Sequence, residues 1–333
     1  MPYNVAIVGA TGAVGRELLT VLSEREFPIR SVKLLASARS SGTCIPFRQQ
    51  SLEVQELGQG SFQDVQIAFF SAGGSVSREF APIAVKAGAV VIDNTSAFRM
   101  KEGVPLVVPE VNQEQIHRHN GLIANPNCST IIMNVAVFPL HKANRIKRII
   151  VSTYQAVSGA GAWGLHELNE QIKQFAAGSS VTKQKFPHQI VNNLFSHNAT
   201  IAENGYNEEE KKMMNETRKI FGDPNIMIAA TCIRVPVPRA HSESINLEFE
   251  RPMNVQQARE ILGKAPGVKI VDDRENNHFP MPLEASGHDD VLVGRIRQDQ
   301  SRDDGRGIEL FVSGDQLRKG AATNAVQIAE RLG

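Results

Sequence analysis

The stretch GATGAVG, at residues 9–15, limits what this chain can fold into more than any other feature. A strand-like run, NVAIV, leads into it, and the residues after it repeat apolar side chains at helical spacing. Glycines at a strand-to-helix turn let the backbone approach a pyrophosphate, which the positive end of the helix dipole attracts. Tight turns also use glycine, but the strand and helix around Gly9, Gly12 and Gly15 favour a dinucleotide-binding unit. The contacts expected in this turn are Gly9, Ala10, Thr11, Gly12, Ala13 and Val14.

Strand-like and helix-compatible segments alternate through the first part of the chain. After the glycine turn, strand-like runs recur at residues 31–38, 65–71, 90–93, 106–108 and 122–124. This alternation is typical of an α/β, Rossmann-type domain with a parallel, doubly wound sheet.

The sequence pattern changes from about Ile149. Three longer strand-like runs, RIIVSTYQAVSG, IMIAATCIRVPV and ESINLEFE, lack intervening helices and predict an α+β domain with a mostly antiparallel sheet. A charged segment predicts a helix over Glu208–Phe221. We therefore predict a dinucleotide-binding domain of residues 1–127 plus 316–333 and a second domain of residues 128–315.

Composition excludes several classes of partner. The 333 residues include 36 Lys and Arg against 35 Asp and Glu, so no excess positive charge is available to attract nucleic acid. No apolar run approaches the length of a membrane span, and from the N-terminal pattern we expect no secretory leader. Three scattered cysteines predict neither a disulfide framework nor a metal site. We expect a cytoplasmic protein.

The end of the second strand indicates which dinucleotide is bound. An NAD site usually ends this strand with a carboxylate for the ribose 2′-hydroxyl, whereas this chain continues as ASARSSG. Ser37, Arg39 and Ser40 offer two hydroxyls and a guanidinium, which suit a 2′-phosphate. A solvated loop arginine is the alternative interpretation. The pattern favours NADP(H).

Cys128 lies in NPNCST, where a turn at residues 125–127 precedes a predicted helix. A thiol at a helix N-terminus feels the positive end of the dipole, which favours the reactive thiolate. Cysteine is also one of the most frequently buried residues, so burial alone would explain it. Cys44 and Cys232 fit that alternative, since neither precedes a helix start.

A cysteine nucleophile needs a proton-transfer partner, and His241 in VPVPRAHSES has the most suggestive surroundings. It stands at the start of a predicted strand among polar residues. A nicotinamide cofactor and a reactive cysteine together indicate an aldehyde–acyl interconversion through a thioester.

Several longer segments carry a resemblance to a known family. In family order, the chain resembles bacterial aspartate-β-semialdehyde dehydrogenases at VAIVGATGAVG, FSAGG, VVIDNTSAFR, PLVVPEVN, NPNCST, YQAVSGAG, ETRKIF, ATCIRVPVPRAHSES, VGRIR and KGAATNAVQIAE. These segments span nearly the whole chain. NPNCST with RAHSES separates it from glyceraldehyde-phosphate dehydrogenases, which carry a different cysteine motif.

The resemblance implies a role for each matching residue. Cys128 would be the nucleophile and His241 the acid/base group. Gln155 would help place the substrate, Arg234 would pair with its α-carboxylate and Glu209 would face its amine. The acyl phosphate or phosphate would be held by Arg99, Asn127 and Lys212. Further cofactor contacts would come from Ser71, Ala72, Gly73, Ser158, Gly159 and Asn324.

Among Glu208–Glu210, Glu209 is chosen because its one-turn spacing to Lys212 matches the family's Glu-x-x-Lys. A carboxylate there would hold a charged amine and would not hold the acetylated nitrogen that N-acetyl-glutamyl-phosphate reductases accept.

The resemblance implies an NADP-dependent, phosphorylating aldehyde dehydrogenase. It would convert L-aspartyl-4-phosphate to L-aspartate 4-semialdehyde in the biosynthesis of lysine and diaminopimelate, threonine, methionine and isoleucine. The family works as a homodimer with the second domain at the interface. Two alternatives stay open, namely a non-catalytic or altered-specificity paralogue that binds the dinucleotide, and an N-acetyl-glutamyl-phosphate reductase-like enzyme.

Overall fold

The computed structural model describes residues 2–332, and the chain divides into two compact units. The first unit runs to Asn127 and resumes at Ala321, and the second spans Cys128–Gly320. Within residues 2–332, no helix combines the length and the apolar character needed to span a membrane.

The chain returns to the first unit at Ala321, later than the predicted residue 316. The side chain of Gln316 accepts a hydrogen bond from the Ala240 backbone at 2.8 Å. Arg318 forms an ion pair with Asp289 at 2.7 Å. These contacts hold the segment before Ala321 within the second unit.

The secondary structure alternates strand and helix in the first unit and is more strand-rich in the second. The strands are β1 (Tyr3–Val8), β2 (Ile29–Ala36), β3 (Cys44–Phe47), β4 (Gln50–Glu56), β5 (Ile67–Phe70), β6 (Val90–Asp93), β7 (Leu122–Ala124), β8 (Ile146–Gln155), β9 (Phe195–Ser196), β10 (Met227–Arg234), β11 (His241–Phe249), β12 (Val268–Ile270), β13 (Val291–Gln298) and β14 (Gly307–Gly314). The α-helices are α1 (Ala13–Glu24), α2 (Gly74–Lys86), α3 (Pro109–Asn112), α4 (Cys128–Ala143), α5 (Ala162–Ala176), α6 (Glu208–Phe221), α7 (Val255–Leu262), α8 (Pro282–Ala285) and α9 (Thr323–Ala329).

The sheet of the first unit has the strand order β3-β4-β2-β1-β5-β6-β7. All neighbouring strands are parallel except the β3–β4 pair. Alternate residues of β1 enter different cores: Ile7 packs with Leu18 of α1 and Val326 of α9, and Val8 packs with Ala81 of α2. Helices therefore cover both faces, which confirms the predicted Rossmann-type, doubly wound arrangement.

The sheet of the second unit has the order β12-β13-β14-β11-β8-β10-β9. Its central pairs, β13–β14, β14–β11 and β11–β8, are antiparallel, and α4 lies against these four strands. The sheet is mixed, because β12–β13 and β8–β10 are parallel. The expectation that no helices intervene was wrong for β8 and β10. The predicted helix α6 and the unpredicted helix α5 lie between them in sequence, and a parallel pair needs such a crossover.

The predicted helix over Glu208–Phe221 is confirmed as α6. It begins at the N-cap Asn207, whose side chain accepts a hydrogen bond from the Glu210 backbone, and it ends at Gly222 in the left-handed conformation.

Candidate active site

Three strands of the second unit bring polar side chains to one edge of its sheet. The parallel strands β8 and β10 end at register partners, Gln155 and Arg234. Strand β11 runs antiparallel to β8 and begins at His241. All three side chains are almost completely buried. Because buried polar groups are costly unless they are partnered, this edge is a candidate site.

The first residue of α4 completes this edge. Cys128 begins that helix, and its Sγ lies 3.5 Å from Nε2 of His241. Gly320 packs beside it, since a Cβ at position 320 would come within 2.9 Å of the Cys128 Cβ. Cys128 is partly exposed, whereas Cys232 is fully buried, and burial raises the pKa of the Cys232 thiol. Of these two cysteines, only Cys128 combines access with a histidine partner.

A backbone amide sets the tautomer of His241. The N–H of Ala156 donates to Nδ1 of His241 at 3.0 Å. An amide nitrogen can only donate, so Nδ1 accepts and the neutral ring carries its proton on Nε2, facing the Cys128 sulfur. Burial, reinforced by the charge of Arg234, lowers the pKa of His241 well below its usual value. The geometry therefore defines a neutral imidazole that donates toward the sulfur.

The guanidinium of Arg234 is held on three sides. Its Nη1 donates to the Ala156 carbonyl at 2.5 Å, its Nη2 lies 2.8 Å from Nε2 of His197, and it stands 5.9 Å from the ring centroid of Phe186. A side chain at Gly159 would crowd both Arg234 and His241, with a Cβ 3.3 Å from Nη1 and 3.0 Å from Cε1. Glycine at 159 therefore keeps the space beside both residues open.

Glu209 is the acidic group of this edge. Its Oε1 accepts from Gln155 Nε2 at 3.3 Å, and its Oε2 accepts from Lys212 Nζ at 3.2 Å. Gln155 also donates to the Ser129 hydroxyl at 2.9 Å. A buried carboxylate beside a buried guanidinium can bind a molecule that carries both an ammonium and a carboxylate.

The two neighbours of Glu209 have other positions or partners. Glu208 is exposed. Glu210 accepts from the backbone of its N-cap residue Asn207 and from the Cys232 backbone at 3.0 Å. The structure thus turns Glu209, out of the three adjacent glutamates, toward the edge that holds Gln155.

The glycine turn of the first unit has the geometry of a dinucleotide cradle. It follows β1, and its amides reach the neighbouring strand, because Gly9 N donates to the Leu35 carbonyl at 2.8 Å. Gly9 has φ +90°, and a Cβ there would meet the Ala72 backbone at 3.0 Å. A Cβ at Gly15 would lie 2.2 Å from the Gly9 carbonyl oxygen. Bulkier residues would close this turn, so the residues present fit a pyrophosphate.

The strands on either side of β1 supply the other predicted contacts. Ser37 and Arg39 are exposed just after β2. Ser71 follows β5, where its backbone N–H donates to the Val8 carbonyl at 2.9 Å. Dinucleotides bind where strand order reverses around the first strand of such sheets. The loops at residues 37–40 and 71–73 lie on either side of the glycine turn after β1, where they can contact a bound dinucleotide.

An asparagine network supports the turn that leads to the cysteine. Asn125 donates to the Asn94 side chain at 2.7 Å, and Asn324 donates to the Asn125 side chain at 2.7 Å. Arg99 is buried, and its Nε donates to the Asn125 carbonyl at 2.9 Å. Asn127, also buried, is two residues further on. The network holds the turn after β7, and Cys128 begins α4 directly after this turn.

Some predicted groupings join residues of different units and stay predictions. The phosphate site would combine Arg99 and Asn127 with Lys212. The cofactor site would add Ser158 and Gly159 to the first unit's loops. Within the second unit, the Ser158 hydroxyl donates to the Pro238 carbonyl.

Sequence reasoning missed two groups of this edge. His197 follows β9 directly and contacts Arg234, in a polar stretch that carries no recognisable pattern. Ala156 contributes through its backbone, donating to His241 and accepting from Arg234. The only sequence signal for Ala156 was its position directly after Gln155, near the end of a predicted strand.

The dinucleotide-binding fold, with a cysteine–histidine pair in the second unit, is that of a nicotinamide-dependent dehydrogenase. Residues 4–119 match the family model described as semialdehyde dehydrogenase, NAD binding domain, and residues 137–319 match that described as semialdehyde dehydrogenase, dimerisation domain. The chain belongs to the aspartate-semialdehyde dehydrogenase family, since it is 53% identical over 331 residues to the aspartate-semialdehyde dehydrogenase of Synechocystis sp., covering 99% of this chain and 97% of the relative.

Solved structures agree with this assignment. The chain is similar to aspartate semialdehyde dehydrogenase II of Vibrio cholerae complexed with ASA, with a TM-score of 0.97, 47% identity and coverage of 100% and 98% of the two chains. It is also similar to the aspartate semialdehyde dehydrogenase of Candida albicans with NADP, with a TM-score of 0.77, 25% identity and the same coverage. The resemblance seen in the sequence is thereby confirmed.

Proposed function

We propose that this protein is an NADP-dependent aspartate-semialdehyde dehydrogenase. It converts L-aspartyl-4-phosphate to L-aspartate 4-semialdehyde and phosphate, in the biosynthesis of lysine and diaminopimelate, threonine, methionine and isoleucine. The observation that carries this proposal is the Cys128–His241 pair at 3.5 Å, on the same sheet edge as a buried guanidinium and a buried carboxylate. The names of the relatives support it.

The test is a phosphate-dependent assay that follows NADP reduction with aspartate semialdehyde, with N-acetylglutamate semialdehyde as the second substrate. We expect activity with aspartate semialdehyde and little with N-acetylglutamate semialdehyde. An acetylated nitrogen carries no positive charge that the Glu209 carboxylate could bind. Preference for the acetylated aldehyde would favour the reductase-like alternative. NADP binding without turnover of either aldehyde would favour a non-catalytic paralogue.

In the biosynthetic direction, the Cys128 thiolate forms a C–S bond to the 4-carbonyl carbon. The C–O bond to the phosphate then breaks and leaves a thioester on Cys128. The nicotinamide, when bound in the first unit, supplies the hydride that a thioester needs. When the C–S bond breaks, its electron pair returns to sulfur, and the aldehyde is released from a regenerated Cys128 thiolate.

We infer that His241 acts by hydrogen-bond donation, a narrower role than the acid/base function that the family resemblance implies. Its Nδ1 accepts from Ala156, so the ring has no open nitrogen to receive the thiol proton. A neutral imidazole is also too weak an acid to release its Nε2 proton near neutral pH. The Nε2–H instead stabilises first the thiolate and then the oxyanion on the attacked carbon.

Replacing His241 tests this role through pH dependence. We expect His241→Ala to lower kcat by about 10²–10³-fold, the effect of losing one oxyanion donor. His241→Gln, which can donate but does not titrate, should recover part of that loss and keep the acidic limb of the kcat/KM profile. That limb should not report His241, because burial lowers the pKa of its ring well below the usual value.

Loss of the acidic limb in His241→Gln would show that the histidine titrates as the base. A second measurement is independent of rate: ¹⁵N NMR of histidine-labelled protein should show Nε2 of His241 protonated and Nδ1 unprotonated. The His241→Gln spectrum identifies the signals by their disappearance.

Substrate anchoring follows from charge. Arg234 pairs with the α-carboxylate, Glu209 faces the amine and Gln155 helps to place the substrate. Arg99, Asn127 and Lys212 hold the phosphate. A basic site for the carboxylate, a second basic site for the phosphate and one acidic residue for the amine match a molecule with a carboxylate, a phosphate and an ammonium group.

Arg39 is proposed to bind the 2′-phosphate of NADP, with Ser37 and Ser40. Arg39→Ala should raise KM for NADPH by about tenfold to a hundredfold, because a charge-assisted hydrogen bond is lost. KM for NADH, which lacks the 2′-phosphate, should not change and serves as the internal control. An equal effect on both cofactors would contradict the assignment.

The second unit is proposed to form a homodimer through the uncovered face of its sheet. Tyr154 is 37% and Met227 is 51% exposed, and Ile150, Ile233 and Phe311 on the same face are partly exposed. The match to a dimerisation domain supports the dimer. Sedimentation should show a dimer at micromolar concentration and a monomer for Tyr154→Glu. A monomeric parent would contradict the dimer, and a dimeric variant would contradict the face.

We also infer a cytoplasmic location, because the reaction consumes NADPH and a phosphorylated metabolite of that compartment. Recovery of the activity in another cell fraction would contradict this inference.

A further inference from the structure

We propose that His197 is a positioning residue for substrate recognition, which holds the guanidinium of Arg234 in the orientation that receives the substrate carboxylate. The inference rests on the proposed function, in which Arg234 is the carboxylate anchor. Neither the sequence motifs nor the family resemblance assigns a role to His197.

Strand register places His197 beside Arg234. Strand β9 pairs antiparallel with β10, and the pairing continues one residue further, where His197 N donates to the Cys232 carbonyl at 2.8 Å. Arg234 is two residues beyond Cys232 on β10, so it is the diagonal neighbour of His197 on the same face. The two side chains meet with Nε2 of His197 2.8 Å from Nη2 of Arg234.

The direction of this hydrogen bond is fixed by the chemistry of arginine. A guanidinium has no acceptor, so Nε2 of His197 accepts and the neutral ring carries its proton on Nδ1. Burial lowers the pKa of His197 to about 4; the charge of Glu209 opposes this effect, and those of Arg234 and Lys212 add to it. The ring therefore remains an acceptor at any pH near neutrality.

His197 supplies a restraint that the other contacts of Arg234 do not. The Ala156 carbonyl holds Nη1, and the Phe186 ring faces the guanidinium carbon. One hydrogen bond and one ring contact leave the guanidinium plane able to rotate, whereas a second bond at Nη2 fixes it. Nε of Arg234 is buried and has no hydrogen-bond partner within the described chain. A guanidinium has five N–H donors, so the Nε–H and a second N–H on Nη2 remain, and a fixed plane can present both to one carboxylate.

The test compares two variants of His197 with a matched control. We expect His197→Ala to raise KM for aspartate semialdehyde about tenfold, the effect of one lost charge-assisted hydrogen bond, with kcat little changed. His197→Gln offers an amide oxygen to Nη2 and should restore most of the parent KM. His188→Ala is the control, because His188 is exposed in the same segment and packs on Phe195 rather than Arg234.

A double-mutant cycle separates positioning from a general structural effect. In an Arg234→Ala background, His197→Ala should cause no further rise in KM, because the group that it holds is gone. A full additional rise there, or no rise in the single variant, would overturn the inference. Failure of the proposed function looks different: the parent itself would not turn over aspartate semialdehyde, or Arg234→Ala would leave its KM unchanged.

Discussion

Cys128→Ala is expected to lower kcat for phosphate-dependent NADP reduction by on the order of 10⁴-fold or more, because it removes the atom that carries the acyl group. Cys128→Ser should be nearly as inactive, since a serine hydroxyl beside the neutral donor His241 has no base to ionise it. The measurement is the steady-state rate with aspartate semialdehyde, together with rapid-quench detection of the thioester, which both variants should lack.

The matched control is Cys44→Ala. Cys44 is exposed on β3 of the first unit, so its replacement should leave the rate within about twofold, as surface substitutions usually do. Thermal unfolding of both alanine variants checks that they fold. A Cys128→Ala protein with the parent rate would exclude covalent catalysis at this residue.

The sequence was sufficient for the first unit because local and global signals agree there. Strand β1 alternates residues between two cores, and a glycine turn follows it, so that periodicity and turn chemistry indicate the same structure. Helix α5 was missed for the opposite reason. Its N-cap is Gly161, with no side-chain cap, and Trp163, Ile172 and Phe175 are 63%, 46% and 54% exposed. Apolar residues on the exposed side obscure the helical stripe.

The site was partly predictable on the same grounds. Cys128 precedes a helix and His241 starts a strand, features that can be read locally. His197 reaches Arg234 through the register of a two-residue strand, which depends on tertiary pairing. Ala156 acts through backbone atoms that any residue except proline provides, so its side chain carries no signal. Sequence motifs do not reveal contacts that depend on strand register or on backbone atoms.

Arg234→Ala is expected to lower kcat/KM for aspartate semialdehyde by about 10²–10³-fold, mainly through KM. A bidentate carboxylate contact contributes two charge-assisted hydrogen bonds, each about 1.5–3 kcal/mol, part of which water recovers in the variant. Arg234→Lys keeps the charge but loses the fork that meets both oxygens, so it should recover only part of the loss. Arg30→Ala, exposed on β2 of the first unit, is the control and should behave as the parent.

A substrate that lacks the carboxylate makes this prediction specific. The parent should use 3-aminopropanal, which is aspartate semialdehyde without its carboxylate, far less well than the full substrate. Arg234→Ala should use the two aldehydes with similar kcat/KM, because the group that distinguishes them has lost its partner. If Arg234→Ala kept the parent's preference, the carboxylate would be bound elsewhere. The buried guanidinium, held by Ala156 and His197, would then serve only the structure of the sheet edge.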